Sequence, residues 1–256
     1  MPIPKLKPVL RCNDEGGALR AALREWYTTP VGRVMLDAVQ DEIDRLLPRL
    51  FGYHAVQVGD PAPERDLLDA SRIIHRLRMD ETGVRDGLRA DPAALPFAAD
   101  CVDLLVLVHA LEFCRDPHEV LREAERVLVA EGHLVLVGFN PYSLFGLWRL
   151  ALGWRGRMPW CGRFYPPWRV RDWMALLGFD VLSCTRVGHR PPFRWPASLR
   201  RLSIGQGQLY LLPGGIYVML ARKRVATLTP IRPRWRPRRL VAGGLAGPSM
   251  RKSSRD

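Results

Sequence analysis

The sequence lacks the marks of a membrane-spanning, disulfide-bonded or zinc-binding chain. No apolar run approaches the roughly 20 residues a transmembrane helix requires. Met1 to Cys12 carries Lys5, Lys7 and several prolines but no apolar stretch of signal-peptide length. The five cysteines (Cys12, Cys101, Cys114, Cys161 and Cys184) are scattered, odd in number and nowhere spaced as CxxC. Reduced thiols in a cytoplasmic protein are therefore the expectation, with no disulfide framework and no metal site. A GxGxxG fingerprint is also absent, which argues against a nicotinamide-dependent oxidoreductase.

Acidic residues are scarce in one region only. The chain carries 39 Lys/Arg against 26 Asp/Glu, a formal net charge of +13. From Arg222 onward there are eleven basic residues and one acid, Asp256, so this end alone holds +10 and the remainder about +3. A run such as RPRWRPRR (232–239), followed by a Gly/Ser/Lys/Arg end, reads as a disordered basic tail over 225–256. Contact with nucleic acid or another anionic surface is one reading of it, and a solubilising tail is the other.

What is present is a core. At 256 residues and 47% apolar content the chain suits one good-sized domain with additions. Its organising stretch runs from Asp91 to Asn140. Val102 to Val108 is a continuous Val-rich run with one early acid, Asp103, as expected of a strand buried on both faces. Asp116-Pro117 opens a helix, with Asp116 as N-cap, Pro117 in the first turn and Glu119 where a capping box places an acid. Val120, Leu121, Ala124, Val127 and Leu128 form its apolar face, and Gly132 is the expected stop. His133 to Phe139 is a second Val-rich strand. Strand, helix and strand make a right-handed βαβ unit and predict an open α/β sheet with its ligand at the carboxyl ends of the strands.

Before this unit, residues 1–50 read as a helical segment, with Leu19, Leu23 and Trp26 on one stripe and Pro30 and Gly32 dividing two helices. Gly52 to Gly59 is the first strand. Asp60-Pro61-Ala62-Pro63 and a charged helix through Ala70 follow it, and a weaker strand from Ser71 to Leu77 leads to Asp80. Gly83 to Ala90 reads as a polar connection. An acid about 20 residues beyond the first loop commonly holds ribose hydroxyls, and Asp80 stands at that distance; a solvated turn acid is the competing reading. Asp91, ahead of the central strand, can accept from an exocyclic amine, with Leu95 and Phe97 beneath a flat ring or in the core. His109, at the end of that strand, is either a positioning group or base or a satisfied structural histidine.

Beyond Asn140 the composition changes. The segment 143–173 collects aromatic residues and arginines, from Phe145 and Trp148 through Trp160 and Tyr165 to Trp173. A lid over an acceptor is the preferred reading. A Trp/Arg clamp and an interfacial helix remain open. Further on come a helix over Pro167–Leu177 ending in Gly178-Phe179, a strand over Asp180–Val187, and apolar runs at Leu209–Leu212 and Ile216–Arg222.

Taken together, DPAALPF, CVDLLVLVHALE, DPHEVLREAERVLVAEGHLVLVGFNP, the Gly178-Phe179 helix end and GGIYVMLARKR resemble the consecutive motifs of the class I S-adenosylmethionine-dependent methyltransferases, of the small type 11 kind. The resemblance runs from about Tyr53 to Arg224. It implies a Rossmann-like fold: a seven-stranded, mostly parallel sheet with an antiparallel last strand and helices on both faces, occupying 51–224. It implies S-adenosylmethionine as cofactor and an unknown methyl acceptor, with no metal. By the same resemblance Gly59 is the loop glycine that lets the backbone approach the methionine part, Asp80 the ribose acid, Asp91 the acid near adenine, and His109 a lining residue. No catalytic residue follows from it. The loop departs from the family pattern. Gln57 stands where an acid is expected, and Pro61 and Pro63 replace two glycines, fixing φ and removing two donors. A non-catalytic, methyltransferase-like binding protein is accordingly the second functional reading.

Overall fold

The computed structural model describes residues 16–81, 87–143, 146, 162–188 and 214–224. The chain divides into two compact units, 1–225 and 226–256, and the second lies outside the described residues. So do the basic tail, most of the 143–173 insert and the apolar run at Leu209–Leu212. Among the described residues no helix is long and apolar enough to cross a membrane.

Two helices come first, α1 (Gly16–Tyr27) and α2 (Pro30–Leu46), the latter followed by a 3-10 turn at Leu47–Arg49. Thr29 separates them: its hydroxyl accepts from the Gly32 amide at 3.1 Å, and Pro30 takes the first helical position. A side chain at Gly32 would meet the Trp26 carbonyl at 2.3 Å, so glycine is what lets the start of α2 turn back onto α1.

The strands β1 (His54–Val58), β2 (His75–Asp80), β3 (Leu88–Arg89), β4 (Val102–Val108), β5 (Leu128–Phe139), β6 (Phe179–Val187) and β7 (Ile216–Lys223) form one sheet, with α3 (Pro117–Val127) before β5 and α4 (Pro167–Leu176) before β6. Their order is β3-β2-β1-β4-β5-β7-β6, and β7 runs antiparallel to both neighbours. The fold class implied by the sequence motifs is thus the observed one. On one face Leu104, Val106 and Val108 pack under α1 and α2. On the other, Leu105 and Leu107 pack under α3 and α4. Burial on both sides is why β4 reads as an unbroken apolar run. Its one acid, Asp103, accepts from the Tyr53 and His54 amides, both at 2.9 Å, and fixes the entry to β1.

Three local expectations are corrected. Residues 64–70 form turns and no helix: Asp66 accepts from the Leu68 amide at 2.9 Å, a local bond that competes with helix formation. The polar connection over Gly83–Ala90 contains the short edge strand β3, paired to the end of β2. Gly132 does not stop α3. That helix ends at Val127, where Lys223 of β7 donates to the Glu125 and Leu128 carbonyls at 2.7 and 2.8 Å. Gly132 instead lies where the pairing of β4 with β5 slips between Val102 and Leu104, next to Glu131 at φ +62°.

Candidate functional site

Strand order reverses between β1 and β4, both paired in parallel, so their carboxyl ends flank a crevice. β1 leads into Gly59-Asp60, β2 ends in Asp80, and β4 leads into His109. Gly59 adopts φ +90°, and a side chain there would meet the Val108 carbonyl at 2.3 Å. Only glycine lets the first loop cross this close to β4. Its amide donates to the Met79 carbonyl at 2.9 Å, and its carbonyl accepts from Gln57 Nε2 at 3.0 Å. Gln57 is fully buried, so it acts on the loop from inside the sheet.

Helix α1 lies over this edge. Arg20, Arg24 and Tyr27 recur at i, i+4 and i+7 and so share the face turned to the strand ends. Arg20 Nη1 approaches Asp80 at 3.4 Å and its Nε approaches Glu81 at 3.4 Å. Arg24 Nη2 bonds the Asp80 carboxylate, and Arg24 Nε donates to the Asp60 carbonyl at 2.9 Å. Beneath them Arg20, Leu23, Asp60, Pro61, Asp80 and Val108 line a cleft of about 200 Å³ including its open mouth.

Charge in the cleft is incompletely paired. Arg20 is 2% exposed; its Nε has only the 3.4 Å approach to Glu81, and its Nη2 has no hydrogen-bond partner. Asp60 is 3% exposed, and its carboxylate has no side-chain hydrogen-bond partner. Burial raises the Asp60 pKa above its ordinary value, and the charges of Arg78 and Arg24 oppose the rise.

The other two residues singled out in the sequence have different neighbours. Asp91 is exposed and accepts from the Ala93 amide at 2.8 Å, within its own turn. His109 is fully buried at φ +50° and stacks on Phe139 with centroids 4.1 Å apart. Its Nε2 lies 2.6 Å from the Tyr27 hydroxyl and its Nδ1 3.2 Å from Glu112. Burial and the Glu112 charge push the Tyr27 pKa well up. Glu112 also accepts from the Phe139 amide at 2.7 Å. The structure thus brings Gly59 and Asp80 to one cleft. It sets His109 under α1 as an anchor for Tyr27 and leaves Asp91 at a separate turn. Cys114 offers no nucleophile: burial and the Glu112 charge push its thiol up to about 12. Among the described residues no cluster of His, Cys, Asp or Glu could hold a metal ion. Sequence reasoning missed Arg20, Arg24 and Tyr27; their i, i+4, i+7 recurrence beside the apolar stripe was the available signal.

Residues 68–136 match the family model described as a methyltransferase domain. The uncharacterized protein YafS of Escherichia coli (strain K12) is 33% identical over 204 residues, which cover 80% of this chain and 82% of that protein. Among solved structures, an S-adenosylmethionine-dependent methyltransferase of Thermotoga maritima, described as a possible histamine N-methyltransferase, superposes with a TM-score of 0.60. It is 17% identical, over 81% of this chain and 98% of that one. A further one from Archaeoglobus fulgidus superposes with a TM-score of 0.50, also at 17% identity, over 72% of this chain and 93% of that one. At these identities the superpositions show the fold.

Proposed function

The chain belongs to the class I S-adenosylmethionine-dependent methyltransferases, and we propose that it is an active member, transferring the methyl group of S-adenosylmethionine to an acceptor outside the carboxyl ends of β4 and β5. The observation that carries this reading is the Gly59 crossing: a backbone held at φ +90° against Val108, at the reversal of strand order, with the buried Asp80 carboxylate at the end of the adjoining strand. The residues present fit the cofactor. Gly59 has no side chain to obstruct the methionine part, Asp80 is the acceptor for ribose hydroxyls, and the cleft between them carries buried groups of both signs in want of partners. Asp91, two residues beyond the end of β3, is the candidate for the adenine amine. His109 supports the floor through Tyr27 and Phe139.

When bound, the sulfonium supplies an electrophilic methyl group. What the protein adds is placement: an acceptor held in line is converted from a bimolecular to an effectively unimolecular reactant. Arg24 bridges Asp80 and the Asp60 carbonyl, so it must yield part of the Asp80 carboxylate for ribose to bind. Its side chain is 22% exposed.

Titration calorimetry of the full chain with S-adenosylmethionine and with S-adenosylhomocysteine tests the reading. Binding of both is expected. A folded protein that binds neither at millimolar concentration refutes it. The second functional reading, a non-catalytic binding protein, is favoured by one observation: Pro61 and Pro63 leave the first loop only the Asp60 and Ala62 main-chain donors across residues 60–63. It predicts binding without methyl transfer to any acceptor class.

A further inference from the structure

The Glu112 carboxylate is buried, with the residue 4% exposed, and only one of its two oxygens is engaged. Oε1 accepts from the Phe139 amide at 2.7 Å and lies 3.2 Å from His109 Nδ1. Oε2 has no hydrogen-bond partner among the described residues. A buried charged acceptor without a donor is costly, and folded proteins rarely leave one so. The fold fixes where this oxygen stands. Glu112 follows the end of β4, and the bond to Phe139 draws its carboxylate to the end of β5. The Glu112 carbonyl accepts from the Arg163 amide at 2.9 Å, so the chain returns across it. A side chain on Gly162 would begin 3.5 Å from the Glu112 Cβ, and glycine leaves that space open. Burial raises the pKa of Cys114, Tyr165 and Tyr217, and the Glu112 charge adds to the rise in each. All three side chains therefore lie within the field of this one carboxylate.

β4 stands between β1 and β5, which divide the strand ends. Gly59 and Asp80 lie on the β1 side, with the proposed cofactor. Glu112 lies on the β5 side, with the proposed acceptor. An ionised carboxylate only accepts, so whatever meets Oε2 must donate. We infer that Glu112 Oε2 is the base that takes the proton of the methyl acceptor, which makes the substrate an O–H or N–H compound. The inference rests on the cofactor reading above. As the nucleophile X–H attacks, the X–C bond forms and the C–S bond breaks. The C–S electron pair returns to sulfur and cancels its charge. The X–H proton passes to Oε2, and Glu112 then yields it to water. A thiol enters as its thiolate and brings no proton for Oε2 to take.

Phenol, aniline and benzenethiol share one ring and differ in the nucleophilic atom, which suits them as probes. Each is incubated with the full chain and S-adenosylmethionine in mild alkali, and the methylated product is read by mass spectrometry. Wild type is expected to form anisole and N-methylaniline. Glu112→Gln keeps an oxygen for the Phe139 amide and replaces the other oxygen by a donor. It should lower kcat for phenol and aniline by about a hundred- to ten-thousandfold, the contribution of a positioned base. Its affinity for S-adenosylhomocysteine should equal that of wild type, and any turnover of benzenethiol should be the same in both proteins. A second measurement needs no variant to fold. With S-adenosylhomocysteine bound, wild type should hold phenol about tenfold more tightly than anisole, the scale of one hydrogen bond to an ionised group. Four results overturn the base and leave the cofactor reading standing: phenol and aniline turnover that survives Glu112→Gln, transfer confined to benzenethiol, no transfer to any probe by protein that binds S-adenosylhomocysteine, or equal affinity for phenol and anisole. Failure to bind S-adenosylhomocysteine overturns both.

Discussion

Asp80→Ala tests the junction of α1 with the sheet. Asp80 is 1% exposed and meets two guanidinium groups. At 3.4 Å and an effective dielectric constant of about 20, the Arg20 pair alone is worth roughly 5 kcal/mol of Coulomb attraction before desolvation is charged against it. Removing one partner of a buried pair costs about 3–5 kcal/mol, because the other charge stays behind. Two features place this case at the lower end. Glu81 still faces Arg20, and the Arg24 side chain has partial access to water. We expect Asp80→Ala to lose about 3 kcal/mol of stability. With a urea slope of about 2–3 kcal/mol/M, the denaturation midpoint should fall by roughly 1 M. The fluorescence of Trp26, which packs edge-on to Tyr27 and against Phe139, should report the loosening of α1. A cycle with Arg24→Met isolates the pair, and a coupling of about 1–3 kcal/mol is expected for groups in one network. A loss below about 1 kcal/mol, smaller than any buried pair of this kind, together with zero coupling, refutes the bridge and detaches α1 from the strand ends.

Two further outcomes follow from other charges. Lys223→Met removes donors from the Glu125 and Leu128 carbonyls and from Asp100, and should cost about 2–3 kcal/mol in urea unfolding. The Lys223 pKa is shifted upward: burial works against the rise, and hydrogen bonds and charge from Asp100 and Glu125 outweigh it. Its contribution is therefore complete below the ordinary lysine value and lost as pH rises through the folded value, so wild type and variant should converge in strong alkali. Asp60 also has a raised pKa, through burial. Through this group the native state binds more protons than the unfolded one between the ordinary Asp value and the raised one, and the Asp60 contribution to stability should fall with rising pH across that window. Asp60→Asn lacks this slope and should be the more stable protein at neutral pH. Parallel pH profiles for the two would show that the carboxylate is not strained by burial.

The sheet was legible because its signals are local. Val102–Val108 is apolar throughout since both faces are covered, and Asp116-Pro117 caps α3 with its own side chain. Boundaries set by distant groups were not legible. The end of α3 depends on Lys223, 95 residues from Leu128, and nothing near Val127 announces it. The turns over 64–70 carry helix-compatible residues, and the Asp66 side chain decides against the helix. For the candidate site, Gly59 and Asp80 drew notice through their position relative to strands. Arg20 and Arg24 did not, because an arginine on an amphipathic helix ordinarily faces water, and only the packing of α1 turns these inward.

The proline loop and α1 are two sides of one arrangement. A glycine loop offers an anionic ligand its backbone amides. Pro61 and Pro63 have none to give, so across residues 60–63 only Asp60 and Ala62 retain an N–H. Arg20 brings five donors to the same crevice from outside the loop. If it has taken over that task, ligand binding and the docking of α1 are linked, and linkage is reciprocal. The factor by which loss of Arg20 weakens S-adenosylhomocysteine is the factor by which that ligand should steady α1. Hydrogen exchange of the α1 amides measures it directly. At saturating ligand, exchange of the amides near Leu23 to Tyr27 should slow in wild type by about ten- to a hundredfold, matching the affinity lost on Arg20→Met. The same amides in Arg20→Met should show no such slowing. Protection confined to the β1 and β2 ends, with α1 exchanging at one rate with and without ligand, would mean that the helix is only a cover and that the loop binds without it.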